Sequence, residues 1–257
     1  MALSNIERHY NKHPEDLRLQ RRHGIVEFET TMYHLHRFLK PGDLVLDIGA
    51  GTGRYTSALM AEGYQVKAVE LVKRNIDVFL KREPGADVVK GDARSMPFLP
   101  DALADVTLLL GPLYHLMGDD EKLKALSEAR RVTKPGGVIL VAYLMNEYSI
   151  LSYCFDEERI GGLRDRGVVD EQYHIRVAAD ELYDYVRLED IDRLNAAAGL
   201  ERVTIFSPDG AADYMRTRLN QMSDETFGHF IEYQKCISER RDLIGAGSHV
   251  VDVVHSK

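Results

Sequence analysis

Residues 45–53 read Val45-Leu46-Asp47-Ile48-Gly49-Ala50-Gly51-Thr52-Gly53. An apolar run interrupted by one aspartate enters a glycine-rich turn. The next stretch, Tyr55 to Glu62 closed by Gly63, has the character of a helix with a C-terminal glycine. Strand, glycine turn and helix in that order form the opening unit of an open α/β sheet. Glycines let the backbone turn tightly and approach a ligand closely, and a helix N-terminus offers N–H groups. Glu70 stands about twenty residues later, at the end of the next apolar run, where a carboxylate can accept from both hydroxyls of a ribose.

Outward from that unit, the same rhythm continues. Leu44–Ile48, Gln65–Leu71, Asp87–Lys90, Asp105–Leu110 and Val138–Leu144 read as strands, and Tyr55–Glu62, Lys73–Lys81 and Asp120–Val132 read as helices between them. Buried strands alternating with helices predict a parallel sheet covered on both faces. Upstream, Ile25, Phe28, Met32, Leu35 and Leu39 recur at helical spacing, so 25–39 is a predicted helix stopped by Lys40-Pro41-Gly42. Downstream, Arg187–Ala198 reads as a helix ended by Gly199, Leu200–Phe206 as a strand, 224–241 as helical and His249–Val254 as the last strand. The segments 146–184 and 207–246 break the rhythm and read as cap insertions. The predicted organisation is an N-terminal helical lid over 1–40 and one domain over 41–257.

The 257 residues suit one large domain, with 44% hydrophobic and 29% charged residues in the ordinary globular range. No apolar run reaches the roughly 20 residues of a membrane helix. The opening 20 residues are polar, with Glu7, Glu15 and Asp16, unlike a signal or transit peptide, so the expected location is cytoplasmic. Net charge is −8, and the densest basic cluster is Arg18, Arg21, Arg22 and His23, which argues against a nucleic-acid partner. Cys154 and Cys236 form no CxxC and read as small buried hydrophobes, not a disulfide.

Two cofactor classes use a strand–glycine turn–helix with an acidic residue after it. Dinucleotide sites carry G-x-G-x-x-G. Here the spacing is G-x-G-x-G, Arg54 occupies the place of the third dinucleotide glycine, and Asp47 precedes the first glycine by two. With those residues in view, the chain resembles the class I S-adenosylmethionine-dependent methyltransferases over roughly 40–145, and more loosely over 185–257. LDIGAGTG is similar to the family's first motif, AVEL to its second, GDARSMPF to its third, DVTLLLGPLYHL to its fourth and RVTKPGGVILVAY to its fifth-strand entry. The resemblance implies a Rossmann-like, doubly wound seven-stranded sheet whose last strand is antiparallel. It implies S-adenosylmethionine as cofactor, held by Asp47, the loop Gly49, Ala50, Gly51 and Gly53, Glu70 and Leu71, Asp92 toward the adenine amino group, the Ala93 N–H, and Leu110 beside the methionine part. For Asp92, plain turn chemistry is the competing reading.

The acceptor side is expected at Gly111-Pro112-Leu113-Tyr114-His115. Nucleic-acid amino methyltransferases of this superfamily carry Asn or Asp, Pro-Pro and an aromatic there; Gly111 lacks the side-chain acceptor. His115 is the candidate base, because an imidazole titrates near neutrality, with a capping role as the alternative. Tyr114 is placed toward the acceptor, with packing as its alternative. In the lid, Tyr10 and Arg22 are placed at the methionine end, Arg22 forking onto the cofactor carboxylate. His34 and His36 sit two apart on a helix and so face apart; no metal site is read. Tyr148, Tyr153, Phe155, Tyr173, His174, Tyr183 and Tyr185 suit the wall of a pocket for a small, partly apolar acceptor. The expected activity is methyl transfer to an O, N or S atom of a small molecule. A protein or peptide methyltransferase, and an S-adenosylmethionine-binding protein without transfer, stand as alternatives. The 207–246 segment completes the cap or forms a homodimer surface.

Overall fold

In a computed structural model that describes residues 5–12 and 21–256, seven strands form one sheet. They are β1 (Leu44–Ile48), β2 (Gln65–Glu70), β3 (Asp87–Lys90), β4 (Ala104–Leu109), β5 (Thr133–Leu144), β6 (Leu200–Phe206) and β7 (His249–Ser256). Their spatial order is β3-β2-β1-β4-β5-β7-β6, with β1 to β5 mutually parallel and β7 antiparallel to both β5 and β6. This is the expected Rossmann-like sheet with its antiparallel last strand. Strand β5 starts earlier than expected, because Thr133 already pairs with Ala104 before a register shift leads to Val106 opposite Val138.

The helices are α1 (Asn5–Lys12), α2 (Arg22–Leu35), α3 (Arg54–Ala61), α4 (Lys73–Arg82), α5 (Asp119–Val132), α6 (Asn146–Ser149), α7 (Ile160–Asp165), α8 (Leu188–Ala198), α9 (Arg216–Gln221) and α10 (Asp224–Ile237). Helix α6 runs on as a π-helical turn through Phe155. Helix α2 ends at Leu35, short of the expected Leu39, because the N–H groups of Arg37 and Phe38 reach back three residues and tighten the chain into a turn. Helix α10 ends at Ile237, not Arg241; Ser238 turns back, its Oγ donating to the Lys235 carbonyl while its own carbonyl accepts from Ser207 N–H.

Strand alternation sends successive residues to opposite faces. Leu46, Ile48, Leu109, Val141 and Tyr143 pack with α5 and α8 through Ala125, Leu126, Ile191 and Leu194. Val45, Val106, Leu108 and Leu140 pack with α2 and α3 through Phe28, Met32, Leu35, Tyr55 and Leu59. Most of the 25–39 helix of the expected lid therefore covers a sheet face, and α1 is the part that reaches the ligand edge. Residues 13–20 of that lid, Arg18 included, lie outside the described residues. Cys154 is buried, but Cys236 is exposed on α10, contrary to its reading as a core residue, and both are free thiols. Among the described residues, no helix is long and apolar enough to cross a membrane.

The antiparallel strand decides which chain ends meet at the ligand side. β1, β2, β4 and β5 all end at one edge of the sheet. Because β7 runs the other way, its first residue, His249, pairs with the last residue of β5, Leu144, at that same edge. β6 again runs with β5, so the chain leaving Phe206 emerges there too.

Candidate active site

At this edge a cavity of about 160 Å³ lies over the ends of β1, β2 and β4. Its wall includes Asp47, Gly49, Ala50, Gly51, Glu70, Leu71, Asp92, Ala93, Leu110, Tyr114, His115 and Tyr10. Residues far apart in the chain meet here because an open parallel sheet gathers its strand ends at the switch point between oppositely directed crossovers.

The glycine loop is held by the sheet itself. The N–H groups of Gly49 and Ala50 both donate to the Val69 carbonyl, at 2.7 and 3.1 Å, and Gly51 N–H donates to Glu70 Oε2 at 2.8 Å. These donors are committed to protein acceptors, so this turn offers a ligand close approach more than an anion cradle. Gly49 has φ +77°, and a Cβ there would lie 2.6 Å from the Pro112 ring. Gly53, expected among the cofactor ligands, is not part of the cavity wall. It starts α3 at φ +81°, and a Cβ would sit 2.3 Å from the Phe79 ring, so its requirement is steric.

Asp47 is buried below the loop and accepts from Thr56 Oγ1 at 2.6 Å. Burial pushes its carboxyl up to about 6, with the Thr56 hydrogen bonds opposing and the Glu70 charge adding. Glu70, 5% exposed, accepts from Gly51 N–H on Oε2, and from Val72 N–H (2.8 Å) and Asn75 Nδ2 (3.2 Å) on Oε1. Burial raises its pKa, and those donors pull it back. A carboxylate oxygen has two acceptor sites. Oε2 therefore keeps one for a hydroxyl, whereas Oε1 has both taken unless the longer Asn75 bond yields. That narrows the expectation that both ribose hydroxyls bind Glu70 directly.

Asp92 lines the cavity while Arg94 grips it, through its backbone N–H at 2.9 Å and its Nε and Nη2 at 3.0 and 2.6 Å. Burial works against the carboxylate, but these bonds outweigh it and hold the group below its ordinary range.

His115 is placed at the cavity, yet both ring nitrogens are engaged. Nδ1 lies 2.9 Å from the Leu182 carbonyl and Nε2 lies 2.8 Å from the Tyr10 hydroxyl. A carbonyl only accepts, so Nδ1 carries the hydrogen and Nε2 accepts from Tyr10. Burial lowers the imidazole pKa to about 4, the Leu182 carbonyl opposing and His9 adding. With both nitrogens engaged, the ring anchors α1, which Arg74 also ties down by donating to the Tyr10 carbonyl at 2.6 Å. Arg22 departs from expectation altogether. Its guanidinium donates to the carbonyls of Leu219 and Met222 at 3.1 and 2.9 Å, pairs with Asp224 at 2.6 Å and lies over the Phe227 ring. It thus caps α9 and docks α10, because α2 runs against the 207–246 segment. His34 and His36 diverge as expected, His34 toward Ser238 and Phe206 and His36 toward Glu62.

A second cavity of about 510 Å³ shares Tyr10 and Tyr114 with the first. Its wall brings together Tyr148, Tyr153, Tyr183 and Tyr185, as the aromatic 146–184 stretch implied, whereas Phe155 and Tyr173 stack on each other away from it. Buried Lys122 holds this segment down by binding the Asp184 carboxylate and the Leu116 carbonyl. Sequence patterns did not point to Asn75 or Arg74, nor to His249 in this second wall with Asp209 bonded to its Nδ1. Asp209 and His249 are 40 positions apart, and only the antiparallel strand joins them.

A methyltransferase domain family model matches residues 46–141. A demethylmenaquinone methyltransferase of Renibacterium salmoninarum is 38% identical over 102 residues, covering 40% of this chain and 41% of that protein. A malonyl-[acyl-carrier protein] O-methyltransferase of Serratia marcescens is 35% identical over 104 residues, covering 40% and 39%. The chain spans about two fifths of the length of these relatives. Among solved structures, an S-adenosylmethionine-dependent methyltransferase from Thermotoga maritima superposes with a TM-score of 0.57 at 21% identity, over 98% of each chain, a likeness of fold.

Proposed function

We propose that this chain, whose residues 46–141 match a methyltransferase domain family model, is a class I S-adenosylmethionine-dependent methyltransferase and methylates an O, N or S atom of a small molecule. One observation carries the reading. The cavity at the strand ends, with its glycine turn and buried Glu70, adjoins a larger aromatic cavity across Tyr10 and Tyr114. The residues present fit the cofactor: the Gly49 turn admits a close ligand without competing N–H donors, and Glu70 Oε2 has an acceptor site left.

When bound, S-adenosylmethionine supplies an electrophilic methyl group on sulfur. The protein supplies position and exclusion of water. Glu70 holds the ribose side, Asp92 and Ala93 border the base, and Leu110 and Tyr114 border the end nearest the acceptor. Helix α1, pinned through Tyr10 to His115, acts as the lid. The relatives' names point to a quinone in one case and a carrier-bound malonyl group in the other; both present a small reacting part. Enclosure by α1 and the 146–185 segment favours such an acceptor over an extended peptide, and the second cavity favours transfer over binding alone. Calorimetry with S-adenosylmethionine, S-adenosylhomocysteine and NADH tests the reading. Micromolar binding of both sulfur nucleotides and none of NADH is expected; NADH binding alone would end it.

A further inference from the structure

We infer that the acceptor carries a carboxylate as a handle, separate from the atom that is methylated, and that Arg216 binds this handle in the second cavity. The inference rests on the methyltransferase reading above. The chain as a whole is acidic, with a net charge of −8, yet the wall of this cavity runs the other way. Arg21, Arg159 and Arg216 line it, against a single carboxylate among the described residues, Asp213. Arg21 caps the start of α2, Arg159 the start of α7, and Arg216 is the first residue of α9. Three distant parts of the chain thus bring a guanidinium to one place. None of the three lines the first cavity. The charge therefore sits apart from the space that would hold the cofactor.

Arg216 is the best held of the three. Its Nε donates to Asp213 Oδ1 at 2.9 Å, and its Nη2 donates to the Tyr148 hydroxyl at 3.4 Å. The Asp213 side chain is 8% exposed and Tyr148 is 4% exposed, so packing fixes both and they set the plane of the guanidinium. A guanidinium has five N–H groups. These contacts use two, and the other three meet no protein acceptor among the described residues. One N–H from each terminal nitrogen can reach both oxygens of a carboxylate, a fork that an ammonium group does not offer. Arg159 stands at the rim, 64% exposed and paired with Glu157. Arg21 has no carboxylate partner among the described residues, so it supplies positive charge in surplus. Asp209 lies outside the wall, buried, with the His249 ring against it.

The rest of the wall fits the body of such an acceptor. Tyr148, Tyr153, Tyr183 and Tyr185 line it, and tyrosine rings suit a flat, largely apolar molecule. Tyr10 and Tyr114 belong to both walls and mark the side from which the methyl group would come. An acceptor that spans the cavity keeps its reacting atom beside Tyr114 and its carboxylate on Arg216, so the handle itself is not the atom methylated. A neutral ring of the same shape would desolvate Arg216 and give it no new partner. A cationic amine would meet the surplus charge of Arg21.

The test is calorimetric titration of the S-adenosylhomocysteine-loaded protein with acids, each paired with its primary amide. The pairs are benzoate with benzamide, phenylacetate with phenylacetamide, and 4-hydroxybenzoate with 4-hydroxybenzamide. Each amide keeps the shape and removes the charge. In wild type at least one acid should bind tenfold or more tightly than its amide, and added salt should weaken the acid alone. Arg216→Gln should bring that pair within about threefold, and Arg216→Lys, which keeps the charge without the fork, should retain only part of the preference. Both variants should bind S-adenosylhomocysteine as wild type does, which shows a folded site; if Arg216→Gln does not, Arg216→Lys decides. Wild type that binds the nucleotide but prefers no acid to its amide, or a preference undiminished in either variant, overturns this inference alone. Wild type that binds no sulfur nucleotide overturns the methyltransferase reading beneath it.

Discussion

Removing the Glu70 carboxylate separates a ligand-binding role from a scaffold role, because the two have different magnitudes and different readouts. Glu70→Ala deletes an acceptor that already serves Gly51 N–H, Val72 N–H and Asn75. Only the remaining site on Oε2 faces a ligand, so one hydrogen bond to a charged group is at stake directly. Such a bond contributes about 1.5–3 kcal/mol, or roughly ten- to 150-fold in Kd for S-adenosylhomocysteine. Glu70→Gln adds a second effect. Whichever way the amide turns, its NH2 meets either Gly51 N–H or Val72 N–H, and a buried donor left unsatisfied costs about 1–3 kcal/mol of folding stability. Calorimetric titration well below the melting transition gives the affinity, and urea unfolding gives the stability. Both variants should lose at least tenfold in affinity. If they unfold more readily yet bind within threefold of wild type, Glu70 is a strut of the loop and the ribose assignment is wrong.

Three further outcomes are expected from the geometry. Asp47 holds its proton more tightly folded than unfolded, so its contribution to stability falls as pH rises from about 4 through about 6. Asp47→Asn, which keeps an acceptor for Thr56, should therefore gain on the order of 3 kcal/mol relative to wild type across that window in urea melts; equal slopes would contradict a buried, strained carboxylate. His115 has the opposite sign: its contribution is full above about 6.5 and is lost as pH falls toward about 4. His115→Gln should lose less stability than wild type between those limits, and parallel melting curves would show the imidazole is not buried neutral. Gly53→Ala should destabilise by about 2–4 kcal/mol, from strain at φ +81° and overlap with Phe79, and Gly53→Ala/Phe79→Ala should lose less than the two single changes summed.

How legible this molecule is depends on the range of the interactions. Leu44–Ile48, Asp87–Lys90 and Leu200–Phe206 appear with the predicted bounds, since apolar runs punctuated by glycine, proline and charge are local signals. The wall of the first cavity is nearly as readable, because its residues stand at the ends of those same strands and strand ends share one edge. Arg22 is misplaced by sequence for the opposite reason. Its partners lie about two hundred residues away on α9 and α10, and no local pattern shows that α2 packs there. Sequence puts His115 at the cavity but does not show what its ring meets, since burial and a tyrosine from α1 surround it and neither is a property of the GPLYH string.

The same distinction explains why the acceptor side needs a structure. In the parallel half of the sheet, each strand brings one chemically useful end to the ligand, so function runs strand by strand along the chain. The antiparallel β7 breaks that rule: it brings its beginning to the edge where β6 ends. The long connection between them therefore leaves and returns at the ligand edge, and its two ends deliver Asp209 and His249 to one place. Asp213 and Arg216 of that connection line the second cavity. On the proposed function, chimaeras exchanging 207–246 between related chains should change acceptor preference without changing affinity for S-adenosylhomocysteine. A shift of more than about tenfold in nucleotide affinity, roughly 1.4 kcal/mol, would show that the two halves are not separable in this way.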